Sequence, residues 1–321
     1  MKKRLKRLLI VMTGALVVMI ALLAYTFIPM KLDVAAQPAA VFATNGKPAP
    51  DKLPEASLSI LKAGMMLSKQ AFSWRGGDWG ATYESGMAAI LVRHPRGNIL
   101  FDAGFGANVD EHAKTIPWLM RKLASYVKET PVAVQLRQGG LSPDQISVAF
   151  ISHSHWDHIS GLEDFPGLEV RMPQAELEFI RQHRMPGLID QMIDRLKVRT
   201  FDFSGGPYEN FDRSLDLFGD GSIVFVPLPG HTEGSTGMFV NLHSGKRYLF
   251  TGDLTWALEG VQLPAERPWL ARRLVDYDEA EVRRSIIKVH QLMQKYPDLI
   301  VVPAHDRRVH NRLAAFPNAE R

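Results

Sequence analysis

Val148-Ala149-Phe150-Ile151-Ser152 runs directly into His153-Ser154-His155-Trp156-Asp157-His158, so an apolar segment delivers four metal-capable side chains within six positions. The apolar run is too short for a helix and reads as a buried strand. The four side chains cannot share one helix face, because residues two apart point to different sides. On a tight loop beyond the strand end they converge. Imidazole and carboxylate donors suit zinc and other borderline divalent ions. A catalytic zinc takes three protein ligands and keeps one open position, so a cluster this rich points to a pair of metals. A single His at a strand end is ordinarily a packing or surface residue. Three His and an Asp crowded into one loop would be expensive to desolvate without a cation.

Working outward, the same pattern recurs. Ala88 to His94 and Asn98 to Asp102 are strand-like runs flanking Pro95-Arg96-Gly97, a hairpin signal. Ile223 to Leu228 leads to Gly230-His231, Tyr248 to Asp253 ends in an acid, and Leu299 to Val302 runs into Pro303-Ala304-His305. Helices are expected over Ile116–Lys128, Gln174–His183 and Asp278–Lys295. The last has Val282, Ile286, Val289 and Met293 on one face, with Asp276 or Asp278 as its cap. The expectation is a mixed α/β domain with reactive residues gathered at strand ends.

The chain is long enough for one large core, and its composition is that of a folded protein. There is no cysteine, which excludes disulfides, thiolate nucleophiles and Cys-ligated metal. Lys2, Lys3, Arg4, Lys6 and Arg7 supply more than the whole net charge of +4. The body is therefore near neutral and lacks a nucleic-acid footprint. From Leu8 to Met30 there is no charge, and at about 1.5 Å per residue the segment reaches roughly 34 Å, enough to cross a membrane core. Basic residues before it put the N-terminus in the cytoplasm and the body outside, on the periplasmic side in a Gram-negative cell. A cleaved signal peptide, processed near Val34-Ala35-Ala36 and releasing a secreted domain, is the alternative. The expected organisation is a basic region and transmembrane signal-anchor over 1–30, a Pro/Ala-rich tether over 31–57 and a catalytic domain over 58–321.

The motif His153-x-His155-x-Asp157-His158, followed by His231 in Pro229-Gly230-His231-Thr232, Asp253 in Thr251-Gly252-Asp253, and His305 after the last strand, resembles the signature of the metallo-β-lactamase superfamily. The resemblance covers the chain from about Leu58 onward. It implies an αββα sandwich with two Zn2+ at one edge, other divalent metals being possible. His153, His155 and His231 would hold the first metal, Asp157, His158 and His305 the second, and Asp253 would bridge them. Asp102 falls where the family has a supporting acid, or it stabilises a turn before Gly104. Two zinc ions sharing a hydroxide would supply a nucleophile at neutral pH, and Asp157 would pass a proton to the leaving group.

Within the superfamily the likeness is strongest to N-acyl homoserine lactonases and related exported phosphotriesterase-like hydrolases. It is carried by Pro173-Gln174-Ala175-Glu176-Leu177-Glu178, His305-Asp306 and Phe316-Pro317. Such lactonases have a Tyr three positions beyond the bridging acid, where this chain has Trp256. The expected substrate is a small lactone or other ester with an apolar group. Trp256, Leu258, Trp269 and Leu270 are the pocket candidates; Met185, Leu188, Ile189, Met192 and Ile193 read as a core-facing helix before a pocket wall. Arg272 and Arg273 are candidates for meeting an anionic substrate, and Arg267 to Arg284 reads equally well as a solvated helical face. The competing functions are a phosphotriesterase or aryl-ester hydrolase of the same fold, and a di-iron redox protein.

Overall fold

The computed structural model describes residues 2–38, 40–43, 48–116, 118–183 and 188–321. Among the described residues, twelve strands fall into two sheets. The larger contains β1 (Ser57–Lys69), β2 (Thr82–His94), β3 (Gly97–Phe101), β4 (Ser125–Lys128), β5 (Ile146–Phe150), β6 (Glu169–Pro173) and β7 (Lys197–Phe201) in the order β4-β1-β2-β3-β5-β6-β7. The smaller contains β8 (Leu215–Asp216), β9 (Ile223–Pro227), β10 (Thr236–Asn241), β11 (Arg247–Phe250) and β12 (Leu299–Val302) in the order β12-β11-β10-β9-β8. The predicted hairpin is present, with His94 paired to Gly97.

Alternation along the strands explains the layering. Ile90, Val92, Ile99, Phe101, Val148 and Phe150 face the other sheet and meet Phe225, Met238, Val240 and Phe250 there. Their neighbours Leu91, Leu100, Ala149 and Ile151 face outward, and helices cover them: α2 (Val132–Gln138) through Leu136, α3 (Gln174–His183) through Ile180, and α4 (Leu188–Arg195) through Met192 and Ile193. On the far side of the smaller sheet, α6 (Glu279–Lys295) buries Val282, Ile286, Val289 and Leu292 against Val224, Phe239, Leu249 and Val301. The result is the αββα sandwich, helices outside two facing sheets. Each of those four α6 side chains contributes about 1.5–3 kcal/mol by burial. The cap adds roughly 1 kcal/mol, so packing decides that the helix exists and the cap where it begins. Asp278 is that cap, accepting from Ala280 N and Glu281 N.

Three expectations need correction. Ile116–Lys128 is not one helix: a short helix spans Trp118–Leu123, and β4 follows, pairing antiparallel with Gly64–Leu67 of β1. The Leu-Met spacing that suggested continued helix ends before Ser125-Tyr126-Val127-Lys128, which completes the sheet edge. Arg267 and Arg272 are not on a solvated face; both are buried. Arg272 pairs with Glu266 and Glu279, a network that makes burial of the charge tolerable. Asp276 does not cap the start of α6; its N–H closes the preceding helix, Trp269–Val275, by donating to Arg272 O. Met185 lies outside the described residues, as do the side chains of Leu188 and Ile189.

The apolar N-terminal segment forms α1 (Lys2–Tyr25), wholly unburied. The chain beyond it lies along the body: Leu32 N donates to Pro264 O at 2.8 Å, Ala43 N donates to Glu209 O at 2.6 Å, and Phe42 packs edge-on to Tyr296.

Under β2, the buried His310 donates from Nε2 to Pro303 O at 3.1 Å. Burial pushes its pKa down from 6.5 to about 4, with the positive charges of His305 and Arg307 adding to that and Asp306 opposing it. The folded state thus keeps His310 neutral where the unfolded chain protonates it. Its contribution is intact above pH 6.5 and is lost as the pH falls toward 4, by about 3 kcal/mol at most. Denaturant midpoints measured across that window should fall on acidification, and fall less in His310→Phe.

Candidate metal centre

All seven predicted ligand residues come together at one end of the sandwich, each just beyond the end of a strand, with Asp157 and His158 in the one-turn helix Trp156–Ile159 and Asp253 in the turn Gly252–Leu254. β5 delivers His153, His155, Asp157 and His158; β9 delivers His231; β11 delivers Asp253; β12 delivers His305. The backbone geometry there is specific. Gly230 has φ +129°, and a Cβ on it would sit 2.4 Å from Val282 N; Gly252 has φ +53°, and a Cβ would meet Ser152 Cβ at 2.9 Å. Only glycine fits immediately before His231 and Asp253 without forcing the loops apart.

The donor atoms divide into two sets. His153, His155, His231 and Asp253 form one in which the ligand atoms all lie within 4.8 Å of one another, and Asp157, His158 and His305 form the other. Asp253 faces both: Oδ2 lies 3.3 Å from His231 Nε2, while Oδ1 lies 2.9 Å from His305 Nε2 and 3.1 Å from His158 Nε2. Yet Asp253 Oδ1 is buried with no hydrogen bond. His155 Nδ1 stands 2.9 Å from His153 Nε2 and 2.8 Å from His231 Nε2. Imidazole nitrogens thus crowd one another on the Oδ2 side, and two more converge on the orphaned Oδ1. That is the donor arrangement of a cation site.

The imidazoles are turned by their second nitrogens, which fixes the tautomer. His158 Nδ1 donates to Asp102 Oδ2 at 2.9 Å, His231 Nδ1 to Asp276 Oδ1 at 2.9 Å, and His305 Nδ1 to Gly86 O at 2.9 Å. Asp102, one of the two readings of which was a supporting acid, has this contact and also accepts from Ser152 N and Oγ at 2.7 and 2.9 Å. Its φ of 60° is unusual for a residue other than glycine, and those bonds hold it there. Asp276 was not foreseen in this role. It also pairs with the buried Arg267, whose guanidinium donates to Asp253 O at 3.0 Å. Its only sequence signal is redundancy: Asp276-Tyr277-Asp278 has one acid more than the helix cap needs.

Electrostatics agree with the donor set. Burial works against charge on His158, but Asp102 and Asp253 hold it protonated well above the usual imidazole range. Burial likewise opposes charge on His305 and His231, and Asp253 raises both. Burial, together with neighbouring imidazoles, keeps His153 and His155 well below the ordinary range. Asp253, raised by burial, is pulled far down by His305 and His158. The buried acids draw protons onto three imidazoles, a field that bound cations satisfy instead.

Glu176 joins two of the ligand loops. Fully buried, it accepts from Ser154 N (2.7 Å), Ser154 Oγ (2.6 Å), Thr232 Oγ1 (2.6 Å) and Gly234 N (3.2 Å). Trp256 does not face away from the centre: its indole Nε1 donates to Asp253 Oδ2 at 3.0 Å, and Arg267 stacks 5.0 Å from its ring. Leu258 is partly buried in the core, and Trp269 is exposed.

Asp276→Asn is expected to lower metal affinity or turnover by about 10–100-fold while leaving the fold intact, because it frees the His231 ring. Zinc titration against a chelating indicator, with circular dichroism alongside, measures both.

Comparison with known proteins follows the same line. Residues 86–305 match the model of the Metallo-beta-lactamase superfamily. A probable metallo-hydrolase of Mycobacterium tuberculosis is 26% identical over 238 residues, covering 68% of this chain and 73% of that protein. The N-acyl homoserine lactonase AttM of Rhizobium radiobacter is 24% identical over 237 residues, covering 71% and 84%. The solved structure of an N-acyl homoserine lactone hydrolase, with the product N-hexanoyl-L-homoserine at its catalytic metal centre, has a TM-score of 0.67 and 17% identity, covering 84% of this chain and 100% of that one.

Proposed function

The chain belongs to the metallo-β-lactamase superfamily and is a hydrolase of that fold; from this premise we propose that it cleaves a lactone or other small ester at a pair of zinc ions. The observation that carries the proposal is the division of Asp253, one carboxylate oxygen toward each donor set. His153, His155 and His231 would hold the first ion, Asp157, His158 and His305 the second, and Asp253 stands between the two sets. Zinc bound there would supply a water of pKa near 7 in place of 15.7 and a Lewis acid for a substrate carbonyl. The chain's own groups do the rest. Asp102, Asp276 and Gly86 O orient three imidazoles. Asp157, whose carboxylate Oδ2 lies 3.4 Å from His305 Nε2, takes up the proton released by the attacking water and passes it to the leaving group. Full turnover in Asp157→Asn would dismiss that role.

A lactone or ester is favoured by the lactonases among the relatives and by the indoles of Trp256 and Trp269, which follow the bridging acid in the chain. With Trp256 engaged by Asp253, the centre offers an indole in place of a phenol, which loosens selectivity for a lactone ring over an open ester. A panel of lactones, aryl esters, thioesters and phosphotriesters decides. Turnover of the carboxylic esters supports the proposal, and turnover of phosphotriesters alone replaces it with a phosphotriesterase.

The chain is organised as a basic region and membrane anchor over 1–30, a connecting segment over 31–57 and a catalytic domain over 58–321. Anchoring is supported by α1, in which the most apolar 18-residue window within residues 3–25 has a mean hydropathy of 2.6 and none of it is buried. The basic residues ahead of it support a catalytic domain outside the cytoplasm.

A further inference from the structure

We propose that the catalytic domain is clamped rigidly to the end of its own membrane helix, with the metal-bearing end turned to the bilayer, and that it takes amphipathic esters from the lipid–water interface. This rests on α1 being a retained membrane anchor.

The clamp is Arg75, a buried side chain in the loop between β1 and β2. Its Nη2 donates to Tyr25 O at 2.9 Å, its Nε to Ile28 O at 3.1 Å, and its Nη1 reaches Met30 Sδ at 3.5 Å. The last carbonyls of a helix have no partner within it, and a cation there also meets the negative end of the helix dipole. Arg75 answers both needs from another part of the chain. Gly76 N adds a bond to Phe27 O at 3.2 Å, and Phe27 packs against Phe72 and Trp79 with ring centroids 5.7 and 4.6 Å away. Leu32 N is already bonded to Pro264 O. From Tyr25 to Leu32 the backbone is held at four points, so no slack separates α1 from the body.

The clamped end is also the catalytic end. Arg75 N donates to Glu266 O at 3.0 Å, next to Arg267, which holds Asp253. Tyr83, at the start of β2, donates from its hydroxyl to Trp256 O at 2.8 Å. β11 runs toward Asp253, so the turn at its other end, with the exposed Ser244, lies at the opposite pole. Ile28, Met30, Trp79, Leu263 and Trp269 are all exposed large apolar residues on segments at the clamped end. Trp residues beside a span are the usual anchors in the headgroup layer. An ester there can keep its tail in lipid, which favours each added buried CH2, while its carbonyl enters the metal centre.

Because the chain has no cysteine, single substitutions Gly80→Cys and Ser244→Cys in the full chain can carry a nitroxide label without background. In phosphatidylcholine vesicles, position 80 should be several-fold more accessible to oxygen than to a nickel chelate, and position 244 the reverse. Arg75→Gln, which lies outside the metal centre, should return position 80 to water. It should leave hydrolysis of a short soluble ester within twofold while the preference for long-chain esters in vesicles is lost. A position 80 as wet as 244, in chains that withstand an alkaline carbonate wash, overturns the pose while the anchor stands. Release by that wash overturns the anchor and the pose together. A long-chain preference unchanged by Arg75→Gln overturns the interfacial substrate.

Discussion

In Asp253→Asn, bound zinc is expected to fall to one ion per chain or fewer, and kcat/KM to fall by well over the roughly 10–100-fold that loss of an outer-shell partner costs. The amide keeps the size of the side chain but removes the negative charge that faces His231 on one side and His158 and His305 on the other. It also turns an NH2 group toward nitrogen lone pairs or a cation, where a carboxylate oxygen now stands. No neighbour can substitute. Asp102 and Asp276 are committed to the outer nitrogens of His158 and His231, and Asp157 serves one set only. Metal analysis and steady-state kinetics on the same preparation read the effect. Two zinc ions and wild-type turnover in this variant would refute the bridging role.

Glu176→Ala should have the largest effect on stability. Truncation strands two backbone N–H groups and two hydroxyls inside the protein. Each unsatisfied buried group costs about 1–3 kcal/mol, some of it recovered where a hydroxyl finds a new partner. A net loss of about 3–5 kcal/mol is expected. For a domain of this size a loss of 1 kcal/mol lowers Tm by about 2–4 °C, so a fall of roughly 6–20 °C follows. The two loops that Glu176 ties carry His155 and His231, so zinc affinity should weaken with stability. Glu176→Gln, which keeps an acceptor but opposes its NH2 to the donors, should fall between. Burial raises the Glu176 carboxyl above its usual range while the bonds to Ser154 and Thr232 pull it back. Scanning calorimetry of the three proteins, with and without zinc, separates the structural loss from the metal-linked one.

What could be read from residues alone was whatever is written locally. β5 and its motif are contiguous, so apolar run, tight loop and donor cluster appear in one short window. α6 shows its buried face through spacing, and the β2–β3 hairpin shows its turn through Pro95-Arg96-Gly97. β1 escaped notice because its alternation breaks at the register shift between Lys62 and Gly64. β4 was hidden by the helical spacing of the residues before it. The supports of the centre were illegible for a different reason. Asp276 meets His231 across 45 residues and Glu176 meets Thr232 across 56; nothing near either acid announces its partner. Arg267 and Arg272 look like surface charges because arginine usually is one. Only the fold reveals that Asp276 and Glu266 receive them inside.

The central claim is that seven side chains enclose two metal ions, and metal content tests it most directly. The full chain, purified without chelator, dialysed against metal-free buffer and analysed by inductively coupled plasma mass spectrometry, should retain two zinc ions per chain. It should lose them together with activity on treatment with a strong chelator. No stoichiometric metal after zinc reconstitution, or iron alone in the two sites, would contradict the account.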